Sequence, residues 1–405
     1  MSIFSGKRIV LGVTGSIAAY KSAALASLLT KSGAQVDTIL TEGAVKLISP
    51  LTFSALTGRK AFQDEDLWKQ DEHVLHIDLG ENNQAFLIAP ATANTLAKLA
   101  HGLADNLLTL TALASRTPIA VAPAMDGGMF AHPATQANLA ILKERGVQVW
   151  GPAAGHLASG LSGQGRMIEP EQLAGHLRKF LGRDGILKGK QVVVTAGGTQ
   201  EPIDPVRVIS NRSSGKQGYA ITQAALDAGA EVTLISGPVS LAAPVGAQLI
   251  SVNSAEEMAG AVLRETKAAD LLIMAAAVAD YRPARTAAEK IKKAQGGLET
   301  LEMERTVDIL NRVISRKHQA GTGPGFVVGF AAETENLLEN ACTKLEAKGM
   351  DLIAANDVSE KGAGIGADKN RVHLIWPGGS SKDLGLQSKA EIAAALIQEI
   401  ASRLG

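Results

Sequence analysis

The sequence has little cysteine, few aromatic residues and no net charge, and each shortage excludes a class of function. Cys342 is the one cysteine in 405 residues, so the chain can form neither an internal disulfide nor a cysteine-based zinc site. Aromatic residues make up 3% of the chain, which argues against a surface that stacks nucleic-acid bases. The 40 basic and 40 acidic residues cancel, so no overall field attracts the protein to nucleic acid or an anionic membrane.

Long hydrophobic runs are also missing. The longest apolar run, Leu271 to Ala279, ends at Asp280 and is far shorter than the roughly 18 to 20 residues that cross a bilayer. The chain enters a strand-like segment at Arg8 without a signal-peptide cleavage pattern. We therefore expect a cytoplasmic protein with no nucleic-acid partner and no membrane span, in which any affinity for phosphate is local.

What the sequence contains is a repeated strand and helix rhythm in a chain long enough for two cores. Short runs rich in Val, Ile and Leu alternate with longer helical patterns, as in β-α-β units on a parallel sheet. The rhythm breaks near residue 182, at GRDGILKGK, and then starts again. We predict an α/β fold with two doubly wound, Rossmann-like parallel-sheet domains, residues 1–187 and 188–405.

The predicted elements follow from this pattern. Residues 18–32 are predicted to form a helix that Gly33 ends. The predicted strands are 8–13, 36–41, 85–89, 119–123 and 147–150 in the first domain, and 191–195, 231–236, 271–275, 327–330, 352–355 and 372–376 in the second.

The turn GVTGS, residues 12–16, follows the first strand and opens a helix, a place where backbone N–H groups bind phosphate. A tight strand-to-helix turn needs glycine in any case, so this turn alone leaves a purely structural role open. A dinucleotide site would favour an acidic residue at the end of the second strand. That strand ends in the hydroxyl of Thr41, which suits a mononucleotide phosphate better.

Three further segments follow strands of the first half: PATANT at 90–95, PAMDGGM at 123–129 and HLASGLSGQGRM at 156–167. The carboxyl ends of parallel strands share one sheet edge, so these segments should gather there. The last has the composition of a mobile lid. His76, ahead of the third predicted strand, is the obvious titratable group. Each feature alone has an ordinary structural explanation, and their combination is specific.

With GVTGSIAAYK, HID at 76–78, PATANTLAKLAHGLADNLL, PAM-x-x-x-M and G-x-G-R-M, residues 6–180 resemble the flavin-dependent cysteine decarboxylases, specifically the phosphopantothenoylcysteine decarboxylase domains of coenzyme A synthesis. The resemblance implies that FMN oxidises the cysteinyl end of the substrate to a thioaldehyde, that CO2 leaves, and that the resulting enethiol is reduced. It implies His76 as the base and Arg166 and Met167 as substrate-binding lid residues. The implied FMN-binding residues are Gly15, Ser16, Thr41, Thr92, Asn94 and Thr95.

Two positions depart from that family. Asp126 stands where the family has an asparagine that contacts the substrate carboxylate, and Ser159 replaces the cysteine that donates the last proton. A serine hydroxyl is a far weaker acid than a thiol with a pKa near 8.5. We expect the decarboxylase to be active, with Asp126 and Ser159 as candidate catalytic residues and the Asp126 carboxyl as a possible donor. The alternative is a ligase-only enzyme whose front half is a non-catalytic FMN-binding scaffold or regulatory module.

The second half carries its own anion-binding pattern. A long polar loop separates Thr195 from a helix that begins near Gly215. Asp280 follows a strand, and Lys290 stands in EKIKK shortly beyond, an arrangement that suits a nucleoside triphosphate with Mg²⁺. EKIKK by itself could equally be a solvated charged turn. Lys344 and Lys348 are four residues apart and therefore share one face of a predicted helix.

Through ISNRSSGKQG, AAAVADY, EKIKK, GFAAET and AAND, most of residues 188–400 resembles the phosphopantothenate-cysteine ligase domains. The resemblance implies that CTP activates the acid as an acyl-CMP with loss of pyrophosphate, that cysteine displaces CMP, and that Asn211 acts on the acyl intermediate. The implied CTP-binding residues are Asp280, Lys290, Thr306, Val307, Asp308, Ile309, Phe330, Lys344 and Lys348. The family's N-P-D-I loop lacks its asparagine and proline here, so the contacts that these two residues make in the family do not carry over.

The order of the two halves matches the bacterial bifunctional enzymes. The sequence therefore predicts an enzyme that makes 4′-phosphopantetheine from 4′-phosphopantothenate, L-cysteine and CTP, with FMN and Mg²⁺ as cofactors. The resemblance also implies a homo-oligomer, with trimers of the first domain that can assemble into a dodecamer and with paired ligase domains. The sequence does not identify the residues that would bind Mg²⁺.

Overall fold

The structure is a computed structural model that describes residues 2–69, 74–158, 160, 162–292, 300–333, 336–357 and 366–404. The chain divides into two compact units, Met1–Leu181 and Gly182–Gly405. Each unit is an α/β fold around its own sheet, as the sequence pattern predicts. No described helix has the length and apolar character needed to cross a membrane.

The first unit contains eight described strands and nine described α-helices. The strands are β1 (Arg8–Val13), β2 (Gln35–Leu40), β3 (Ala61–Phe62), β4 (Ala85–Ala91), β5 (Ile119–Pro123), β6 (Gln148–Val149), β7 (Ala153–His156) and β8 (Ser162–Arg166). The helices are α1 (Ala19–Lys31), α2 (Glu42–Val45), α3 (Pro50–Thr57), α4 (Leu75–Glu81), α5 (Ala93–His101), α6 (Leu107–Ala114), α7 (Gly127–Ala131), α8 (Pro133–Glu144) and α9 (Pro170–Gly182), and a 3₁₀ helix spans Asp64–Trp68.

The main sheet of this unit is parallel, with the strand order β3-β2-β1-β4-β5-β6. The order reverses between β1 and β4, and a doubly wound sheet binds ligands at the carboxyl ends of the strands flanking such a point. Both sheet faces are covered, which explains why β4 is buried along its whole length and reads as one apolar run. After α1, Gly33 adopts a φ of +95° and reverses the chain.

The glycine-rich segment 156–167, predicted as a lid, belongs largely to an antiparallel hairpin. β7 pairs with β8, with Gly155 opposite Gly163 and His156 opposite Ser162. The hairpin was missed because its strands are short and rich in glycine, and therefore lack the apolar alternation that predicts a strand. Ser159 lies outside the described residues.

The second unit continues with twelve strands and five helices in its described residues. The strands are β9 (Gln191–Ala196), β10 (Gln200–Pro202), β11 (Val208–Ser210), β12 (Glu231–Ser236), β13 (Gln248–Ser251), β14 (Leu271–Met274), β15 (Tyr281–Pro283), β16 (Met303–Arg305), β17 (Phe326–Glu333), β18 (Leu352–Asp357), β19 (Lys369–Ile375) and β20 (Ser381–Ser388). The helices are α10 (Lys216–Asp227), α11 (Ala255–Glu265), α12 (Ile309–Ala320), α13 (Leu337–Lys348) and α14 (Lys389–Leu404).

The main sheet of this unit has the order β13-β12-β9-β14-β17-β18-β19-β20. Its pairs are parallel from β13 to β18, and the pairs β18–β19 and β19–β20 are antiparallel. The predicted parallel sheet is therefore mixed at one edge. β19 alternates between buried and more exposed residues, which is the pattern of an antiparallel strand with one covered face and differs from the continuous apolar run of a parallel strand.

Separate apolar clusters fill the space on the two faces of each main sheet. In the first unit, Leu25 and Phe53 belong to one cluster, and Phe86 and Leu108 to the other. In the second unit, the clusters are built around sets that include Leu234, Ile392 and Leu396 on one side and Ile235, Met258 and Val313 on the other. Burial of these apolar side chains stabilises each sheet and holds the loops at its carboxyl edge in place.

Candidate functional site

A cavity of about 940 Å³ opens at the carboxyl edge of the first sheet. Its walls are the segments that follow β1, β2, β4 and β5, together with the β7–β8 hairpin. Its volume lies in the range of sites that enclose cofactors and drug-sized ligands, roughly 300 to 1,000 Å³. The cavity therefore occupies the position that the strand order predicts for a ligand.

The structure brings most of the predicted residues of the first half to this cavity. Asp126, Arg166 and Met167 are among its lining residues. His76 is on α4, half-buried, and is not among the described residues that line the cavity. The predicted FMN-binding residues all line it: Gly15, Ser16, Thr41, Thr92, Asn94 and Thr95.

The turn between β1 and α1 is fixed by a buried threonine and a pair of glycines. The hydroxyl of Thr14 donates to the carbonyl oxygen of Pro90 at 2.7 Å and accepts the N–H of Thr92 at 3.1 Å. A Cβ added to Gly15 would lie 3.0 Å from the Cα of Gly43. Glycine at these two positions lets two strand-to-helix turns touch, so a ligand can approach their backbones closely.

Residues at helix amino termini are part of the cavity lining. Ser16 precedes α1, and the hydroxyl of Thr92 caps α5 by accepting the N–H of Thr95 at 3.3 Å. Thr41 caps the short helix α2 through the N–H of Ala44. Unpaired N–H groups and the helix dipole favour an anion at such positions. This side of the cavity fits the phosphate of a mononucleotide.

Polar residues that the sequence reasoning did not single out line another part of the cavity. Lys98 pairs with Asp105 at 2.7 Å, and this hydrogen bond holds the pKa of the Asp105 carboxyl below its usual value. The carboxylate of Asp64 accepts the N–H of Leu107 at 2.9 Å, at the start of α6. Asn106 caps the same helix. Asp105 and Asn106 lie in the motif HGLADNLL, which could have identified them as site residues. No motif in the sequence contains Asp64.

The Asp126 turn is in backbone contact with the hairpin. The N–H of Met125 donates to the carbonyl oxygen of Gly165 at 3.0 Å. A Cβ at Gly165 would clash with the carbonyl oxygen of Met125, and Gly165 has a φ of +148°. The carboxylate of Asp126 accepts the N–H of Gly128 at 2.9 Å and so caps α7. An asparagine could make the same cap, so the exchange to aspartate leaves this turn intact.

In the second unit, the structure brings Asn211, Asp280 and Thr306 to one group of loops. The side-chain amide of Asn211 donates to the carbonyl oxygen of Val278 at 3.0 Å. The N–H of Thr306 donates to the carbonyl oxygen of Asp280 at 2.9 Å, and the Thr306 hydroxyl donates to that of Ala279. These contacts connect the segments that follow β11, β14 and β16.

A second group lies around the start of α12. Asp308 caps this helix by accepting the N–H of Asn311 at 3.0 Å, and its carboxylate pairs with the ammonium of Lys348. Val307 is half-buried, Ile309 is buried, and Phe330 is half-buried on β17. Lys344 is exposed, one turn before Lys348 on α13. The pairing of Asp308 with Lys348 is the direct contact that joins two of the predicted nucleotide residues here.

The segment that carries Lys290 is clamped by a buried carboxylate that sequence reasoning missed. Asp204 is 2% exposed and accepts the N–H groups of Val206 and Arg207 at 2.8 Å and of Ile291 at 3.3 Å. The Arg207 guanidinium donates to the carbonyl oxygen of Ile291 at 3.3 Å. Burial by itself raises the pKa of Asp204, but these N–H groups outweigh it and hold the pKa below its usual value. The backbone beside the exposed Lys290 is therefore fixed from two sides.

A metal site made of protein ligands alone is not found in the part of the chain that the structure describes. No group of three or more His, Cys, Asp or Glu side chains is close enough there to hold a metal ion. Any Mg²⁺ at the described carboxylates would depend on oxygen ligands from elsewhere, such as substrate phosphates, which is the usual arrangement for this ion.

Comparison with known proteins covers both units. A family model described as Flavoprotein matches residues 4–182, and one described as DNA/pantothenate metabolism flavoprotein C-terminal domain matches residues 187–404. The chain is 43% identical over 403 residues to the coenzyme A biosynthesis bifunctional protein CoaBC of Bacillus subtilis strain 168, covering 99% of this chain and 98% of that protein. It is 44% identical over 406 residues to the protein of the same name from Vibrio vulnificus strain YJ016, covering 100% of each.

One solved structure, the carboxy-terminal domain of a coenzyme A biosynthesis bifunctional protein CoaBC, covers 54% of this chain and 98% of its own, at 38% identity and a TM-score of 0.45. It contains one domain only, whereas the two relatives span the chain from end to end.

Proposed function

The chain belongs to the family of bifunctional coenzyme A biosynthesis proteins, and from that premise we propose that it makes 4′-phosphopantetheine from 4′-phosphopantothenate, L-cysteine and CTP. The enzyme combines a phosphopantothenate-cysteine ligase with a phosphopantothenoylcysteine decarboxylase. The similarity to the bifunctional relatives along the whole chain carries this conclusion. Residues 1–187 are proposed as the decarboxylase domain and residues 188–405 as the ligase domain.

The first domain is a flavoprotein domain, and FMN is the proposed flavin. When bound, FMN supplies the two-electron oxidation of the cysteinyl end and the later reduction. The backbone N–H of Gly15 and the hydroxyl of Ser16 would hold the phosphate, because the helix dipole of α1 favours an anion there. Further hydrogen bonds would come from the lining residues Thr41, Thr92, Asn94 and Thr95.

The wall made by the hairpin and the Asp126 turn is proposed to receive the substrate. The guanidinium of Arg166 would pair with an anionic group of the substrate, and Met167 would pack beside it. The carboxylate of Asp126, once it has taken up a proton in the substrate complex, is the proposed proton donor for the last step, since Ser159 carries only a weakly acidic hydroxyl. The role of His76 as the base stays a prediction.

In the second domain, CTP is proposed to bind at Asp280, Lys290, Phe330, Lys344 and Lys348, with the loop 306–309. A substrate carboxylate oxygen would attack the α-phosphorus, and pyrophosphate would leave. The cysteine amine would then attack the acyl carbon and displace CMP. The lysine ammonium groups would stabilise the charge of the triphosphate, and Mg²⁺ would bind chiefly to its phosphate oxygens.

Asn211 is proposed to act on the acyl intermediate. Its amide nitrogen donates to the carbonyl oxygen of Val278, and this bond fixes the orientation of the side chain. The amide oxygen of Asn211 can then accept a hydrogen bond from the cysteine amine. A cytoplasmic homo-oligomer without nucleic-acid or membrane partners completes the proposal.

A ligase-only enzyme is the second candidate, and two observations favour it. The predicted base His76 does not line the described cavity, and Ser159 replaces the usual thiol. In that case the first domain would bind flavin without releasing CO2.

Cofactor and nucleotide identity provide the first test. Heating the purified protein should release a chromophore that co-elutes with FMN, and pyrophosphate release should require phosphopantothenate and CTP together. Release of FAD would contradict FMN as the cofactor of the first domain. Equal activity with ATP in place of CTP would contradict CTP as the substrate of the second. Colourless protein with full ligase activity would contradict the flavin assignment.

A further inference from the structure

Three charged side chains meet where the β7–β8 hairpin joins α9. The ammonium of Lys21 donates to a carboxylate oxygen of Glu169 and to the carbonyl oxygen of Met167, each at 2.9 Å. The guanidinium of Arg166 contacts the same carboxylate oxygen of Glu169 at 2.6 Å. One carboxylate therefore holds two cations, and both cations line the cavity.

The position of Lys21 makes this pairing necessary. Its side chain is 6% exposed and lies in the first turn of α1, where the helix dipole disfavours a cation. A buried ammonium is costly without a partner, and Glu169 is the ion-pair partner that the structure provides. The hydrogen bond from Lys21, with the charge of Arg166, holds the pKa of Glu169 below its usual value. The carboxylate is therefore ionised at neutral pH.

The path of the Arg166 side chain is also constrained by the opposite strand. A Cβ added to Gly155, on β7, would lie 3.2 Å from the Cδ of Arg166 and 3.4 Å from its Nη1. The arginine stem thus crosses the space that a side chain at Gly155 would occupy. Its guanidinium ends on Glu169, and the arginine side chain as a whole is 45% exposed, which leaves part of it open to a ligand in the cavity.

We propose that Glu169 is a positioning residue, which fixes the guanidinium of Arg166 at the cavity wall to receive an anionic group of the substrate. Lys21 fixes Glu169 in turn, from the helix whose amino terminus faces the cofactor side of the cavity. Two cations and one carboxylate leave one positive charge, which the substrate anion neutralises. The inference rests on the proposed function, which supplies the substrate.

The test uses the full chain and two variants of this cluster. Glu169→Gln removes the negative charge that holds both cations and leaves one acceptor oxygen, and Gly155→Ala displaces Arg166 without changing a charge. We expect the KM for phosphopantothenoylcysteine to rise about five- to tenfold in each, with kcat reduced less than twofold. Flavin content should stay close to that of the unmodified chain in both variants. The melting temperature should fall in Glu169→Gln, because the buried Lys21 ammonium loses its carboxylate, and should stay close to that of the unmodified chain in Gly155→Ala.

A matched control removes an ion pair of the same type away from the cavity. Glu81 pairs with Arg116 at 2.9 Å on the surface of the same unit, and neither lines the cavity. Glu81→Gln should leave KM unchanged. The ligase activity of each variant serves as an internal control for correct folding of the rest of the chain.

Binding without turnover separates this inference from the proposed function. 4′-Phosphopantothenoylserine has no thiol to oxidise and can be titrated against the flavin absorbance. If the unmodified chain binds it but releases no CO2 from the cysteine compound, the decarboxylase proposal fails, and the inference is judged by the Kd of the two variants. An unchanged Kd in both variants would overturn it. Loss of flavin or of thermal stability with unchanged Kd would show a structural role and would also overturn it.

Discussion

The N–H of Met125 donates to the carbonyl oxygen of Gly165 at 3.0 Å, and this bond joins the Asp126 turn to the β7–β8 hairpin. Residues from two distant parts of the sequence thereby form one wall of the cavity. The close approach depends on glycine at position 165, because any Cβ there would clash with the carbonyl oxygen of Met125. The wall that receives the proposed substrate is therefore set by backbone contact.

Gly165→Ala should separate the Asp126 turn from the β7–β8 hairpin. The clash and the φ of +148° should destabilise the first unit by about 2 to 4 kcal/mol and raise the KM for phosphopantothenoylcysteine. Thermal unfolding and steady-state kinetics measure both effects. Gly163→Ala, in the same strand, is the control, since nothing lies within 4 Å of an added Cβ there. Equal behaviour of the two variants would show that the backbone contact does not matter.

Asp126→Asn should abolish the proposed proton donation and leave the turn folded. Asparagine caps a helix as well as aspartate does, so flavin content should not change. Loss of a general acid should lower kcat for CO2 release by about a hundredfold or more. Ser159→Ala, assayed alongside, distinguishes the two candidate donors. Full activity in Asp126→Asn with loss in Ser159→Ala would transfer the role to Ser159.

Asp204→Asn should weaken nucleotide binding by the ligase. The amide nitrogen cannot accept the N–H of Ile291, so the segment beside Lys290 should lose its fixed position. We expect the KM for CTP to rise about three- to tenfold, with a smaller change in kcat. Asp383→Asn is the matched control, because Asp383 also accepts a backbone N–H, from Gly385, and pairs with an arginine. A similar rise in KM in the control would contradict a local effect of Asp204.

The stability of the second unit should depend on pH through the same carboxylate. The pKa of Asp204 is lowered in the folded state, so its contribution is complete above the ordinary carboxyl pKa of about 3.9. It is lost as the pH falls through the lowered value. The difference in urea midpoint between the unmodified chain and Asp204→Asn should be constant near neutral pH and shrink in acid below about pH 4. A difference that grew in acid would contradict the sign of this effect.

The sequence was sufficient to locate the buried strands. β1, β5 and β12 have the predicted bounds, because strands buried on both faces read as continuous apolar runs. The short, polar strand pairs β10–β11 and β15–β16 contain no continuous apolar run, so the sequence did not predict them. The antiparallel edge of the second sheet was missed for a related reason, since β20 is largely polar and exposed and therefore shows no apolar run.

For the site, the motifs identified residues that line the cavity, because those residues follow strands directly along the chain; their role in binding FMN stays a prediction. Lys21, Glu169 and Asp204 were not identified. Lys21 and Glu169 are 148 positions apart in the sequence, and a charged residue gives no sign that it is buried until its partner is placed. Such residues position other side chains or backbone segments of the site, and only the folded structure shows which residues they contact.

One incubation tests the central claim most directly. The purified chain is mixed with 4′-phosphopantothenate, L-cysteine, CTP and Mg²⁺, and the products are followed by mass spectrometry. A bifunctional enzyme should form 4′-phosphopantetheine with release of CO2, and phosphopantothenoylcysteine should appear only transiently. Accumulation of phosphopantothenoylcysteine with no phosphopantetheine, in protein that carries bound FMN, would contradict the claim and identify a ligase alone.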